Sequence, residues 1–96
     1  MAMQYNGTQQ TINLRHLEQG QFMSIVISGA PGNCVLEFLH VEDETWRAHP
    51  GFVGTVTGGV LVERLVCISG YMRIRFLAAP ETPYNLSIVF DARPSF

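Results

Sequence analysis

The chain has 96 residues, enough for one domain with one core and too few for two. Apolar residues make up 47% and charged residues 15%, against about 25% charged in ordinary soluble domains. A lone globule this small cannot hide all of that apolar surface, so some of it is expected to face a partner. The formal charge of −2 argues against a nucleic-acid binder, which presents a basic face to phosphates.

Residues 1–10 are polar and without periodicity, and they read as an extended N-terminal arm or disordered leader ahead of a domain over residues 11–96. The leader has neither a basic nor an apolar stretch, and no apolar run approaches the ~18 residues that span a bilayer. A soluble, non-secreted protein without membrane contact is the expectation. Residues 11–15 alternate, and residues 22–28 form a β-branched run bounded by Gly20 and the turn cluster at residues 29–33; both are strand signals. A helical turn is conceivable only near residues 16–19.

Residues 34–41 set Leu36 and Phe38 against Glu37, one face buried and the other wet. An acidic turn at residues 42–44 follows, then the short run Thr45, Trp46, Arg47, Ala48. Three adjacent carboxylates in a turn serve solvation and protection of a sheet edge; the spacing of a calcium loop is missing. His49-Pro50-Gly51 breaks the chain, residues 52–57 resume β character, and Gly58-Gly59 breaks it again.

Residues 60–68 make a long apolar strand interrupted by Glu63 and Arg64. Ser69-Gly70 then has the composition of a tight two-residue turn, which predicts a hairpin with the next strand. Along that strand Met72, Ile74 and Phe76 share one face, and Tyr71, Arg73 and Arg75 share the other. Residues 77–83 read as a loop, residues 84–90 as a closing strand with Tyr84, Leu86, Ile88 and Phe90 inward, and residues 92–96 as an irregular tail. The fold class is therefore all-β: a single antiparallel β-sandwich or jelly roll of seven to eight short strands.

Chemistry-bearing residues are sparse. His16, His40 and His49 stand at no recognised ligand spacing, and no nucleophile elbow, phosphate loop or dinucleotide fingerprint occurs. No catalytic, metal or cofactor residue is nominated, and a non-enzyme is expected. Cys34 and Cys67 lie in apolar runs without C-x-x-C spacing, which leaves two readings open: buried free thiols or a cross-strand disulfide. All six basic residues are arginine. Arginine suits interface ion pairs, although a biased genome composition gives the same count.

Two candidate contact regions emerge: Tyr71, Arg73 and Arg75 on the wet face of the hairpin, and Asp43, Glu44, Trp46 and Arg47 around the acidic turn. Both have a plain alternative as solvated surface. A glycan stacked on Trp46, Tyr71 or Tyr84 is a rival use of the aromatics.

The stretches GQFMSIVISG, VLEFLHVEDETWRAHPGF, GGVLVERLVCISGYMRIRF and YNLSIVF together resemble the small β-sandwich virion proteins of tailed bacteriophages, the head decoration or cement type. The match runs from about Gly20 to Asp91. Asp43-Glu44-Thr45-Trp46 stands where that group has an acidic turn and a Thr-Trp pair, and Gly70-Tyr71-Met72-Arg73-Ile74-Arg75 where it has a Gly-Tyr-x-Arg-x-Arg strand. Glu44 departs from a position where glycine is common, and residues 47–50 have no fixed counterpart. The resemblance implies a structural virion component, contacts with the phage major capsid protein or other virion proteins, and a homo-oligomer, with a trimer favoured. A tail or baseplate module is the neighbouring form.

Overall fold

The computed structural model describes residues 2–30 and 32–91; Met1, Pro31 and the tail read at residues 92–96 lie outside them. The described residues form eight strands: β1 (Ala2–Gly7), β2 (Thr11–Leu14), β3 (Phe22–Ser28), β4 (Cys34–His40), β5 (Thr45–Ala48), β6 (Val60–Val66), β7 (Met72–Phe76) and β8 (Tyr84–Phe90). They pair antiparallel into two four-stranded sheets. Sheet I has the order β1-β8-β3-β6 and sheet II the order β2-β7-β4-β5. This is the strand order of a jelly roll.

Four of the six strand pairings among the described residues are nested, and β3·β8 and β4·β7 cross them to complete the two sheets. Ala2 faces Val89, Thr11 faces Arg75, Phe22 faces Val66 and Glu37 faces Ala48, so β1·β8, β2·β7, β3·β6 and β4·β5 all straddle the turn at residues 41–44. The chain is one long doubled ribbon, and wrapping that ribbon splits its two arms between the sheets.

Strict alternation builds the core. Met23, Ile25 and Ile27 of β3 meet Leu86 and Ile88 of β8 within sheet I, and Leu36, Met72, Ile74 and Phe76 come from sheet II; all are at most 2% exposed. Each such side chain contributes on the order of 2 kcal/mol relative to exposure. Tyr84 sets its ring edge-on to Phe76, with 4.7 Å between centroids, and its hydroxyl donates to the Gln9 carbonyl at 2.6 Å. The inward assignment of Met72, Ile74, Phe76, Tyr84, Leu86 and Ile88 follows from period-two patterning alone.

Three sequence expectations need correction. Residues 2–7 are not a free leader: they form β1, the edge strand of sheet I, hydrogen-bonded along β8. Their polar outward residues hide this, because an edge strand has one wet face and one open margin.

Ser69-Gly70 does not close a hairpin either. β6 pairs with β3 in sheet I, whereas β7 pairs with β2 and β4 in sheet II. The connector crosses between the sheets instead, and Cys67 exchanges backbone hydrogen bonds with the other crossing segment, donating to Gln21 O and accepting from Gly20 N, each at 2.8 Å. A Ser-Gly pair permits a sharp bend but does not say whether the next strand returns beside the last one or below it.

Residues 52–57, lastly, form no strand beyond an isolated bridge between Thr57 and Val60. They run as a strap from β5 in sheet II to β6 in sheet I. Glu63 points inward at the edge of sheet I and receives the N–H groups of Val53 and Gly54 at 2.9 and 2.7 Å. His49, 6% exposed, lies 2.8 Å from the Val66 carbonyl through Nε2 and accepts the Gly51 N–H at Nδ1. The second contact requires a bare Nδ1, so the ring carries its hydrogen on Nε2.

Candidate docking face

The outer face of sheet II is laid out in rows by the strand register. Asn13, Arg73, Glu37 and Ala48 lie side by side across β2, β7, β4 and β5, and Thr11, Arg75 and Val35 form the row next to them. Leu39 and Trp46 are paired in the row on the other side. Tyr71 joins that row because its carbonyl accepts the Leu39 N–H at 3.0 Å.

Glu37 organises the centre. Its Oε1 accepts the Nε–H of Arg73 at 2.8 Å and of Arg75 at 3.2 Å, and its side chain is 13% exposed. Burial pushes its carboxyl up, but hydrogen bonds from Arg75 and Arg73 and their positive charges outweigh that, so the group stays below the ordinary glutamate value. Arg73 also stacks on Trp46, its guanidinium carbon 4.2 Å from the ring centroid. One carboxylate and one indole thus hold two guanidinium groups on an otherwise uncovered sheet. Next to them is a groove of about 190 Å³ lined by Asn13, Arg15, Leu39, Trp46 and Tyr71.

The structure regroups the residues expected from the sequence. Trp46 joins Tyr71, Arg73 and Arg75 on one face. Asp43 and Arg47 do not: alternation along β5 sets Arg47 opposite Trp46, paired in register with Phe38, which packs against the core. There Asp43 accepts from the Thr45 hydroxyl and from Arg47 Nη2, each at 2.6 Å, and from the Thr45 N–H at 3.2 Å, with His40 Nδ1 3.0 Å away. The Thr45 hydroxyl above all, then Arg47 and His40, holds the Asp43 carboxyl far below the usual carboxylate range. Asp43 is a clamp on the β4–β5 turn. Glu44 is exposed in that turn at φ 56°, a left-handed conformation that glycine accepts more readily.

No family model, curated protein or solved structure matches this chain. What the face can bind is therefore a question of its own chemistry.

Among the aromatics proposed for a saccharide, Tyr84 is fully buried, which removes it, and Trp46 already carries Arg73 over its ring. Tyr71 is 49% exposed and open to contact. Cys34 and Cys67 are buried free thiols, not a disulfide. Among the described residues no three His, Cys, Asp or Glu side chains converge to hold a metal ion.

Sequence reasoning missed Arg15 and Asn13 as members of the face. Their alternation with Ile12 and Leu14 was visible; their placement beside Tyr71 and Arg73 depends on β2 pairing with β7, which joins residues some sixty positions apart. It also missed Glu63 and His49 as anchors of the strap, because their partners are backbone groups that carry no side-chain signature.

Proposed function

We propose that this chain is a non-enzymatic structural protein of a tailed-bacteriophage virion, a head decoration or cement protein that covers junctions between major capsid protein subunits. A tail or baseplate accessory protein is the neighbouring form of the same reading. The observation that carries it is the Trp46–Arg73–Glu37–Arg75 arrangement. It is an ordered polar and aromatic patch on an uncovered sheet, and the groove beside it, about 190 Å³, is smaller than the roughly 300–1,000 Å³ of small-molecule sites. Aromatic and arginine side chains held in place before contact are the composition of protein–protein hot spots.

Residues 2–7, expected as a free arm, are paired along β8 as β1, so docking falls to the sheet face. Several copies, favoured as a trimer, add individually weak contacts into firm attachment on a symmetric lattice. The protein is made in the host cytoplasm and ends in the virion. Sedimentation with phage heads stripped of their decoration protein tests this: the chain should pellet with the heads and raise their rupture temperature. A chain that stays in the supernatant and instead binds a glycan array saturably would overturn the reading in favour of host-surface attachment.

A further inference from the structure

We infer that the outer face of sheet II takes an acidic segment of a partner protein, with carboxylates on Arg15, Arg73 and Arg75 and a neighbouring apolar side chain in the groove between Tyr71 and Trp46. This rests on the docking reading above and adds the chemistry of the partner.

Charge complementarity is the first argument. The face carries three guanidinium groups, those of Arg73 and Arg75 on the Glu37 carboxylate and that of Arg15 at the groove beside them, for a local surplus of two positive charges on a chain whose formal charge is −2. The other described arginines are occupied elsewhere: Arg47 by Asp43 and Arg64 by Asp91. Arg73 and Arg75 each give Glu37 only their Nε–H. Their Nη groups therefore retain the paired donors that grip a carboxylate in bidentate fashion. Arg15, just past the end of β2, is exposed at the margin of the same groove.

The second argument is preorganisation. Arginine normally loses much side-chain freedom on binding; here the Glu37 bonds and the Trp46 stack have already fixed Arg73, so less is lost when a ligand arrives. The groove supplies the apolar half of the recognition, since Leu39, Tyr71 and Trp46 line it together with Asn13 and Arg15. A nucleic-acid strand fits less well. A regular series of phosphates along the face would run towards the exposed Glu42 and Glu44 in the β4–β5 turn, whereas a peptide needs to place only two or three carboxylates.

The test uses the full chain and three fluorescein-labelled probes: a ten-residue peptide alternating Glu and Leu, its Gln and Leu counterpart, and a ten-nucleotide oligothymidylate. Anisotropy should show saturable binding of the Glu-Leu peptide, and amide shifts in ¹⁵N spectra should centre on Asn13, Arg15, Leu39, Trp46 and residues 71–75. Arg15→Gln, a change at an exposed position that leaves the core alone, should weaken binding about tenfold, as expected for one charge-assisted contact; Tyr71→Ser should weaken it independently. Absence of binding, equal binding of the Gln-Leu peptide, indifference to both substitutions, or tighter binding of oligothymidylate on these residues would each overturn the inference. If the chain pellets with heads yet ignores the Glu-Leu peptide, the partner chemistry is wrong and the virion reading stands. If it binds the peptide on this face yet ignores heads, the reverse holds.

Discussion

The guanidinium carbon of Arg73 lies 4.2 Å from the centroid of the Trp46 ring, and the same side chain donates its Nε–H to Glu37 at 2.8 Å. A cation held between an indole and a carboxylate couples β5, β7 and β4 across the face. Removing the carboxylate charge should therefore loosen the stack as well as the ion pairs.

Glu37→Gln should lower stability by about 1 kcal/mol near pH 7, the scale of a partly exposed ion-pair network, and should red-shift Trp46 emission. The pH dependence has a definite sign. The folded-state carboxyl lies below the ordinary glutamate value of 4.5, so the unfolded chain takes up the proton first as pH falls. The stabilisation is complete above pH 4.5 and is lost as pH drops through the folded value. Acid unfolding of Glu37→Gln should be shallower over that window; an unchanged acid profile would refute the pairing.

Gly54 in the strap and Gly58 just after it offer a matched pair, both with positive φ, at 72° and 61°. A Cβ on Gly54 would stand 1.9 Å from the Cys34 carbonyl oxygen, whereas one on Gly58 meets nothing within 4 Å. Gly54→Ala should cost more than about 3 kcal/mol and Gly58→Ala only about 1–2 kcal/mol of conformational strain. Urea midpoints measure both, and equal losses would mean the strap does not lie over Cys34.

His49 anchors the strap at its start. His49→Ala leaves the Gly51 N–H and the Val66 carbonyl without their ring partner, at a cost of about 2–3 kcal/mol, and should speed hydrogen exchange at Gly51. A ¹⁵N correlation spectrum of the imidazole should show the hydrogen on Nε2. A hydrogen on Nδ1 would be incompatible with the Gly51 contact.

Burial, reinforced by the nearby Glu63 charge, pushes the Cys34 thiol up to about 12, and burial also raises Cys67. Native protein at pH 8 should resist a thiol reagent at both positions, with labelling following global unfolding. Because the folded-state thiols ionise later than unfolded ones, stability should decline as pH rises from about 9 towards 12. Rapid labelling of either cysteine in the native state would contradict their burial.

The strands of this fold were legible because each buries one face: Met23, Ile25 and Ile27, or Met72, Ile74 and Phe76, announce themselves by period two. The partners were not. Ser69-Gly70 has the composition of a hairpin and serves as a crossing between layers, and β1 looked like a tail because its pairing partner lies at the far end of the chain. The candidate face was half legible for the same reason. Tyr71, Arg73 and Arg75 follow from alternation, whereas Trp46 could be joined to them, and Arg47 parted from them, only once β5 was set beside β4. The left-handed backbone at Glu44, φ 56°, carries no signal in the side chain that sits there.

The nested pairing has a kinetic corollary. Among the described residues β4·β5 is the one pairing between named strands that closes a short loop, and β3·β6, β2·β7 and β1·β8 enclose it in turn. Loop closure around an already formed inner pair costs less entropy than closure of the bare chain, so assembly should spread outward from the Asp43 clamp, with the first and last strands seated at the end. Substitutions at Asp43 should then slow refolding, whereas those in β1 should chiefly hasten unfolding, a contrast that stopped-flow kinetics can read directly.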